Sequence, residues 1–301
     1  MKVIGIVAVA ILVIYLGISA YVVSMSKVPR IPLAESPASM GLAYEDVSFP
    51  SRIDDVTLSG WYLPGEKGFT IIVVNGGIQN RVDPRTGTLE IGRGLAEMGF
   101  DVLMFDLRGR GESQGKGRLL TYDERDIGGA VDYIMSRGYP AERIGLLGFS
   151  AGATSSLIFA SKDDVFAVVS DSSFVNVADD LVRKASNETG VPKPLVRLFV
   201  PGTLLIAKAM HGYDAVNLTN IVADVRRPIL FIYGETDDLV TMADARELFE
   251  ASGNPSDELW IVPDAGHSQA YKMNPVDYID KVMAFFDETT AGNRGIGKEV
   301  K

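Results

Sequence analysis

Gly148-Phe149-Ser150-Ala151-Gly152 joins a short apolar run, Ile144–Leu147, to a small-residue run that ends at Ala160. The first run reads as a buried strand, and the second can continue as a helix. A serine flanked by glycines at such a turn is typical of a nucleophile held in a strained backbone conformation at the carboxyl edge of a sheet. Ser150 is therefore the predicted nucleophile. The alternative is an ordinary serine in a small-residue turn.

Strand-like and helix-like runs alternate on both sides of this turn. Apolar residues have helical spacing at 89–98, 122–136, 242–251 and 276–287, and the second of these begins with a capping box, Thr121 to Glu124. Because parallel strands need crossover connections and bury both faces, the alternation predicts an α/β fold with a mostly parallel, doubly covered sheet. The predicted strands are Tyr44–Phe49, Val56–Leu63, Phe69–Val74, Val102–Phe105, Ile144–Leu147, Phe166–Val169, Ile229–Tyr233 and Glu258–Val262.

The stretch between Val169 and Pro228 contains no strand-like run. Helical spacing appears there instead, over Val175–Ala185 and Pro194–Met210. We expect a helical cap insertion over the active site at about 173–224, inside a hydrolase domain at 44–288 that ends in a flexible tail at 289–301. The apolar run Leu195–Ile206 in the cap would suit an acyl or lipid-like group, although plain packing is the commoner use of such a run.

The segment Val3–Met25 carries no charged residue and is long enough, as a helix, to cross a hydrocarbon core of about 30 Å. A cleaved signal peptide is the alternative, but its apolar region has roughly 7–15 residues. The sequence predicts a transmembrane anchor at 1–25 and a proline-containing linker at 26–43 that lifts the domain off the bilayer. The two flanks of this segment carry nearly equal positive charge, so the positive-inside rule does not decide its orientation. We expect a single-pass membrane protein with an extracytoplasmic catalytic domain.

Composition excludes several classes of function. With 29 basic and 39 acidic side chains the net charge is -10, which argues against nucleic acid as a partner. The chain has no cysteine, so a disulfide framework, a thiolate metal site and a cysteine nucleophile are excluded. Oligomeric state leaves no signal in the sequence.

A serine nucleophile needs a base and an acid. The chain has two histidines, and His267 follows the last strand while His211 lies in the predicted cap, so His267 is the favoured base. The acid should follow the preceding strand, where Asp237 and Asp238 compete; Asp237 is the preferred residue. The expected oxyanion amides are those of Ala151 and of Gly77 or Ile78, with Gly77 preferred.

Five motifs in this order resemble the α/β-hydrolase superfamily over about residues 44–287. More narrowly, the chain is similar to the single-pass, membrane-anchored hydrolases near the serine aminopeptidase and lysophospholipase-like families. The motifs are Asn75-Gly76, Asp106-x-Arg108-Gly109-x-Gly111-x-Ser113, Gly148-Phe149-Ser150-Ala151-Gly152, Gly234-x-x-Asp237-x-x-Val240 and Ala265-Gly266-His267.

The resemblance implies that Asp237, three residues after a glycine, is the triad acid, and that the loop 106–113 is structural. It also implies no metal and no organic cofactor. The sequence departs from the family pattern at Asn75, where relatives usually have histidine. Since the oxyanion donor is a backbone amide, we expect catalysis to survive this change.

Three hypotheses of function follow. The leading one is a serine hydrolase that cleaves ester or thioester bonds of a small or lipid-like acyl substrate through an acyl-enzyme. The second is aminopeptidase-type peptide hydrolysis, which needs a cap acid such as Asp179, Asp180 or Glu188 to hold the substrate ammonium. The third is a non-catalytic binding protein, against which the intact Ser150, Asp237 and His267 argue.

Overall fold

A computed structural model describes residues 2–119 and 123–296. In this part of the chain the strands are β1 Glu45–Pro50, β2 Thr57–Leu63, β3 Thr70–Val74, β4 Asp101–Phe105, β5 Ile144–Phe149, β6 Val168–Asp171, β7 Ile229–Gly234 and β8 Glu258–Val262. They form one sheet in the order β1-β2-β4-β3-β5-β6-β7-β8. β2 pairs antiparallel with β1 and with β4, and the other neighbours are parallel.

Helices cover both faces of the sheet. Alternate residues of β3 show the division. Ile71 and Val73 belong to an apolar core with the helices at 88–97 and 275–296, whereas Ile72 and Val74 belong to another with the helices at 124–136, 151–160 and 242–252. The predicted doubly covered, mostly parallel sheet is confirmed. The helices of the described residues are α1 Lys2–Met25, α2 Thr88–Glu97, α3 Glu124–Ser136, α4 Ala151–Ala160, α5 Val177–Thr189, α6 Lys193–His211, α7 Met242–Ser252, α8 Ala270–Met273 and α9 Pro275–Ile296.

Several element boundaries differ from the predicted ones. β6 ends at Asp171, two residues later than predicted, because a buried serine and aspartate continue the strand beyond its apolar residues. α3 begins at Glu124, and the Thr121 end of the predicted capping box lies outside the described residues. α9 continues to Ile296, and Thr290, which follows the predicted domain end at 288, is buried.

Residues 26–43, the predicted linker, make hydrogen bonds with the domain. The amide of Val28 donates to Gly117 O at 2.9 Å, and Arg30 Nη1 donates to Ser113 O at 2.6 Å. Asn80 Nδ2 donates to the carbonyls of residues 31 and 32, each at 3.0 Å. An extended segment exposes its backbone polar groups, and here the domain surface supplies their partners. The linker therefore lies along the domain.

The cap insertion lies between β6 and β7 and contains α5, α6 and two short 3-10 helices, Leu218–Asn220 and Val222–Asp224. α5 contacts the loop after β7, where Arg183 Nε donates to Leu239 O at 2.7 Å and Arg183 Nη2 pairs with Asp244 at 2.9 Å. α6 packs against α1, with Val23 and Ala207 buried together. Among the described helices, α1 is the one long and apolar enough to cross a membrane, a property that signal sequences share.

Candidate active site

Ser150 occupies the turn between β5 and α4 in a conformation that L-residues rarely adopt, with φ 52° and ψ -121°. Backbone of the neighbouring segments lies close to this turn. A Cβ at Gly152 would lie 2.3 Å from Val74 O, and a Cβ at Gly76 would lie 2.2 Å from Phe149 O. These are overlaps with backbone atoms that cannot move aside. The local sequence therefore needs glycine at both positions, and the Ser150 side chain is presented at the carboxyl edge of the sheet.

The structure brings Ser150, His267 and Asp237 together. Ser150 Oγ lies 2.7 Å from His267 Nε2, and His267 Nδ1 lies 2.8 Å from Asp237 Oδ2. The Asp237 side chain has no exposed surface, and that of His267 is 18% exposed. With its proton on Nδ1, directed at the carboxylate, the imidazole leaves Nε2 to accept the serine proton. The arrangement is that of a nucleophile, a base and an orienting acid.

The second oxygen of Asp237 holds the carboxylate in place. Asp237 Oδ1 accepts from the amides of Leu239 at 2.8 Å and Val240 at 2.9 Å. The adjacent Asp238 is exposed, and its side chain approaches Asn187 of the cap. His211 is the last residue of α6 and lies apart from the three joined side chains. His211 was the alternative base and Asp238 the alternative acid, and neither is part of the hydrogen bonds that join Ser150, His267 and Asp237.

The loop after β3 is fixed beside the nucleophile. Gly77 has φ 58°, a left-handed conformation that favours glycine, and open space surrounds the position where a Cβ would stand. Arg110 Nε donates to Gly77 O at 2.8 Å, and the amide of Gln79 donates to Gly76 O at 3.1 Å. These hydrogen bonds orient the peptide group between Gly76 and Gly77 and the peptide group between Gly77 and Ile78. The oxyanion roles of Gly77 and Ala151, and the choice between Gly77 and Ile78, stay predictions.

Asp171 at the end of β6 ties together the elements that carry the nucleophile and the base. Its carbonyl accepts from the Ser150 amide at 2.8 Å, and its carboxylate accepts from Ser172 Oγ and Tyr278 Oη, each at 3.0 Å. Ser172 Oγ in turn accepts from the amide of Ser268 at 2.9 Å. Burial raises the pKa of Asp171 to about 6, against the two hydrogen bonds and the nearby imidazole that lower it.

This raised pKa predicts a dependence of stability on pH. A carboxyl group that titrates higher in the folded chain than in the unfolded chain binds more protons when folded between pH 4 and 6, so the free energy of unfolding falls as pH rises through that window. In Asp171→Asn this contribution is absent. We expect the variant to gain up to about 3 kcal/mol relative to the wild type between pH 4 and 7, measured by urea unfolding in detergent micelles. A pH-independent difference would contradict the buried-carboxyl account.

Three residues of this region are absent from the sequence-based site. Arg110 lies in the loop 106–113 but its contact with Gly77 is long-range and leaves no local pattern. Phe174 stacks on the His267 ring, with centroids 5.5 Å apart and 20° between the planes. Asp171 did leave a signal, since a charged residue two positions after a predicted apolar strand lies at the same sheet edge as Ser150.

Comparison with known proteins agrees with this architecture. Residues 93–293, which include Ser150, Asp237 and His267, match the model of the prolyl oligopeptidase family. An uncharacterized protein of Bacillus subtilis, YqkD, is 25% identical over 238 residues, which cover 76% of this chain and 75% of the relative. The α/β hydrolase domain-containing protein WAV2 of Arabidopsis thaliana is 25% identical over 260 residues, covering 78% and 76%.

Among solved structures, the Pyrococcus furiosus esterase Pf2001 superposes with a TM-score of 0.74 at 25% identity, covering 87% of this chain and 97% of the esterase. Est1E from Butyrivibrio proteoclasticus, solved with ferulic acid bound, has a TM-score of 0.62 at 16% identity, covering 81% and 99%, and shows the fold alone. The resemblance to the α/β-hydrolase superfamily is confirmed, and the structural neighbours include esterases and another hydrolase.

Proposed function

Since this chain belongs to the prolyl oligopeptidase family, we propose that it is a serine hydrolase that cleaves ester or thioester bonds through an acyl-enzyme intermediate. One observation carries the proposal: an unbroken path of hydrogen bonds from Ser150 Oγ through the His267 ring to Asp237. The likeness to the Pyrococcus furiosus esterase supports an ester over other acyl substrates. A small-molecule or lipid-like ester is the expected substrate class.

The reaction has two stages. His267 Nε2 removes the proton of Ser150 as Oγ attacks the acyl carbon, and Asp237 stabilises the imidazolium that forms. Backbone amides of Ala151 and Gly77 stabilise the developing oxyanion. His267 then protonates the leaving alcohol or thiol, which departs and leaves the acyl group on Ser150. In the second stage a water molecule gives a proton to His267 and attacks the acyl carbon. The bond from that carbon to Ser150 Oγ then breaks as His267 returns the proton to Oγ, and the acid is released.

Helix α1 is proposed to be a retained membrane anchor, with the catalytic domain on the extracytoplasmic side. The contacts of α1 and of the segment after it support retention over cleavage. Tyr15 stacks on Phe199 of the cap, and Arg30 donates to the backbone of Ser113. Removal of a signal peptide would discard the first of these contacts and expose the apolar cap face that makes it.

Peptide hydrolysis is a second candidate, because the family match favours it. An aminopeptidase needs an acid that is available to the substrate ammonium. The three cap acids that could serve pair with basic neighbours: Asp179 with Arg197, Asp180 with Arg183, and Glu188 with Lys184. These pairings count against the aminopeptidase reading. Alanine p-nitroanilide, assayed beside p-nitrophenyl butyrate, separates the two activities.

Labelling with a fluorophosphonate probe tests the proposal directly. We expect the purified full-length protein to be labelled, the adduct to map by mass spectrometry to the peptide that contains Ser150, and heat-denatured protein to remain unlabelled. Probes of this class react with a serine activated by a base. If the folded protein is not labelled and hydrolyses neither ester nor anilide, the non-catalytic binding hypothesis replaces the enzymatic one.

A further inference from the structure

Cap helix α6 packs closely along the second half of α1. The Tyr15 and Phe199 rings stack with centroids 5.6 Å apart and 20° between the planes, and the amide of Gly202 donates to Tyr15 Oη at 2.8 Å. One turn further along α1, Ser19 is fully buried, and a Cβ at Gly202 would lie 2.4 Å from its Oγ. Small residues at the point of closest approach are typical of helices that pair in membranes.

The length of α1 fixes how deep this contact lies. A helix needs about 20 residues to cross a hydrocarbon core of about 30 Å. α1 runs from Lys2 to Met25, so every window of that length within it includes residues 6–21. With α1 as the membrane anchor, Tyr15 and Ser19 lie at hydrocarbon depth in any placement of the helix. The side chains of α6 that touch them lie at the same depth.

An apolar stripe on α6 lies beside this contact and is exposed. Two of the basic side chains that flank it are paired, Arg197 with Asp179 and Lys208 with Asp214, and Lys193 lies at the N-terminal end of the helix. The exposed face is therefore apolar with little net charge. The large apolar side chains of this face, called the α6 stripe below, are Leu195, Leu198 and Leu205, whose exposed fractions are 52%, 63% and 60%.

We propose that α6 is a membrane-embedded cap helix, with the α6 stripe inserted into the leaflet that adjoins the catalytic domain. The occupant is the lipid bilayer because the α6 stripe is continuous with the exposed apolar surface of α1, from Val3 to Ile14. A water-soluble partner protein could not reach the stripe, because α6 packs along the half of α1 that lies at hydrocarbon depth.

The insertion specifies a substrate class, and this step rests on the proposed function. α5 contacts α6 through the Asp179–Arg197 pair and contacts the loop that carries Asp237 through Arg183. The cap thus connects the leaflet with the triad acid and, through Phe174, with His267. We infer that the substrate is an acyl ester dissolved in the membrane, which reaches Ser150 beneath the cap without crossing water.

Environment-sensitive labels test the insertion without reference to catalysis. The chain has no cysteine, so single cysteines at Leu198→Cys and Leu205→Cys can be labelled with NBD in the full-length protein in phosphatidylcholine nanodiscs. Met98→Cys is the control, an apolar residue that is 48% exposed at the opposite edge of the sheet. We expect blue-shifted emission and quenching by doxyl-labelled lipid at 198 and 205 only. Labels at 198 and 205 that behave like the label at 98 would overturn the proposal.

Activity tests the substrate class. The double variant Leu198→Asp/Leu205→Asp places two charges in the α6 stripe, and charge at membrane depth is costly. We expect its kcat/KM for a long-chain ester dissolved in nanodiscs, divided by that for soluble p-nitrophenyl acetate, to fall by about tenfold or more relative to the wild type. An unchanged ratio overturns the substrate class. Absence of any activity that depends on Ser150 would refute the proposed function and leave the label result to decide the insertion.

Discussion

Ser150→Ala is expected to lower kcat for p-nitrophenyl butyrate by about 10⁵–10⁶-fold with the protein still folded. Alanine keeps the backbone turn but removes the atom that forms the covalent intermediate. The residual rate should come from bound substrate and oxyanion amides, which retain some catalysis without a nucleophile. Stopped-flow and long-time-course assays of p-nitrophenol release, with detergent-solubilised full-length protein, cover the required range.

Ser161→Ala provides the matched control. Ser161 ends the same helix, α4, and its hydroxyl donates to Ile158 O at 2.9 Å, so the same chemical change is made away from His267. We expect kcat of this variant to stay within about threefold of the wild type, as is usual for changes remote from the reacting atoms. Ser150→Ala with more than a hundredth of wild-type kcat, or the same loss in both variants, would mean that Ser150 is not the nucleophile.

Short-range sequence patterns are sufficient to predict the parts of the fold that depend on residues close together in the chain. Alternating residues in β3 place Ile71 and Ile72 on opposite faces, and the glycines around Ser150 report a turn in which a Cβ at Gly152 would overlap backbone. The sheet, the crossover helices and the order of the three chemical groups follow from such rules. His267 was separable from His211 because only one of them follows the last strand.

Long-range contacts account for what the sequence did not predict. Arg110 reaches Gly77 across 33 positions of the chain, and Asn80 binds the linker carbonyls, but neither contact leaves a periodic signal. The linker is rich in proline and has no apolar period, which is equally typical of a free spacer and of an extended strap. Cap helices are recognisable from their spacing, yet the partner of their apolar faces is set by tertiary packing, as for Phe199 on Tyr15.

These long-range contacts join the linker and the cap to loops that follow the strands of the sheet. The linker meets the loop after β3 through Asn80, whose carbonyl also accepts from Asn75 Nδ2, and the cap meets the loop after β7 through Arg183. The loop beside Ser150 and the loop that carries Asp237 are thus tied to segments that follow α1 or pack on it. Asn75, which stands where relatives usually have histidine, is part of the first tie. With α1 as the proposed membrane anchor, we expect the position of the domain relative to the bilayer and the shape of the candidate site to be coupled through these contacts.

Asp237→Asn should lower kcat by about 10⁴-fold, the loss seen when a triad acid becomes an amide of the same shape. The structure dictates the reason. Asp237 Oδ1 accepts from the amides of Leu239 and Val240, so the asparagine must keep its oxygen there and turn its NH2 group towards His267 Nδ1. Nδ1 then has to accept, the ring proton moves to Nε2, and the imidazole can no longer take the proton of Ser150.

Asp238→Asn makes the same chemical change one residue along, on an exposed side chain that approaches Asn187. We expect its kcat to stay within about threefold of the wild type, because surface substitutions outside a catalytic network have small effects. Fluorophosphonate labelling rates of both variants, measured beside kcat, show whether the loss lies in activation of the nucleophile. A larger loss in Asp238→Asn than in Asp237→Asn would transfer the role of triad acid to Asp238, and equal small losses would mean that His267 works without either carboxylate.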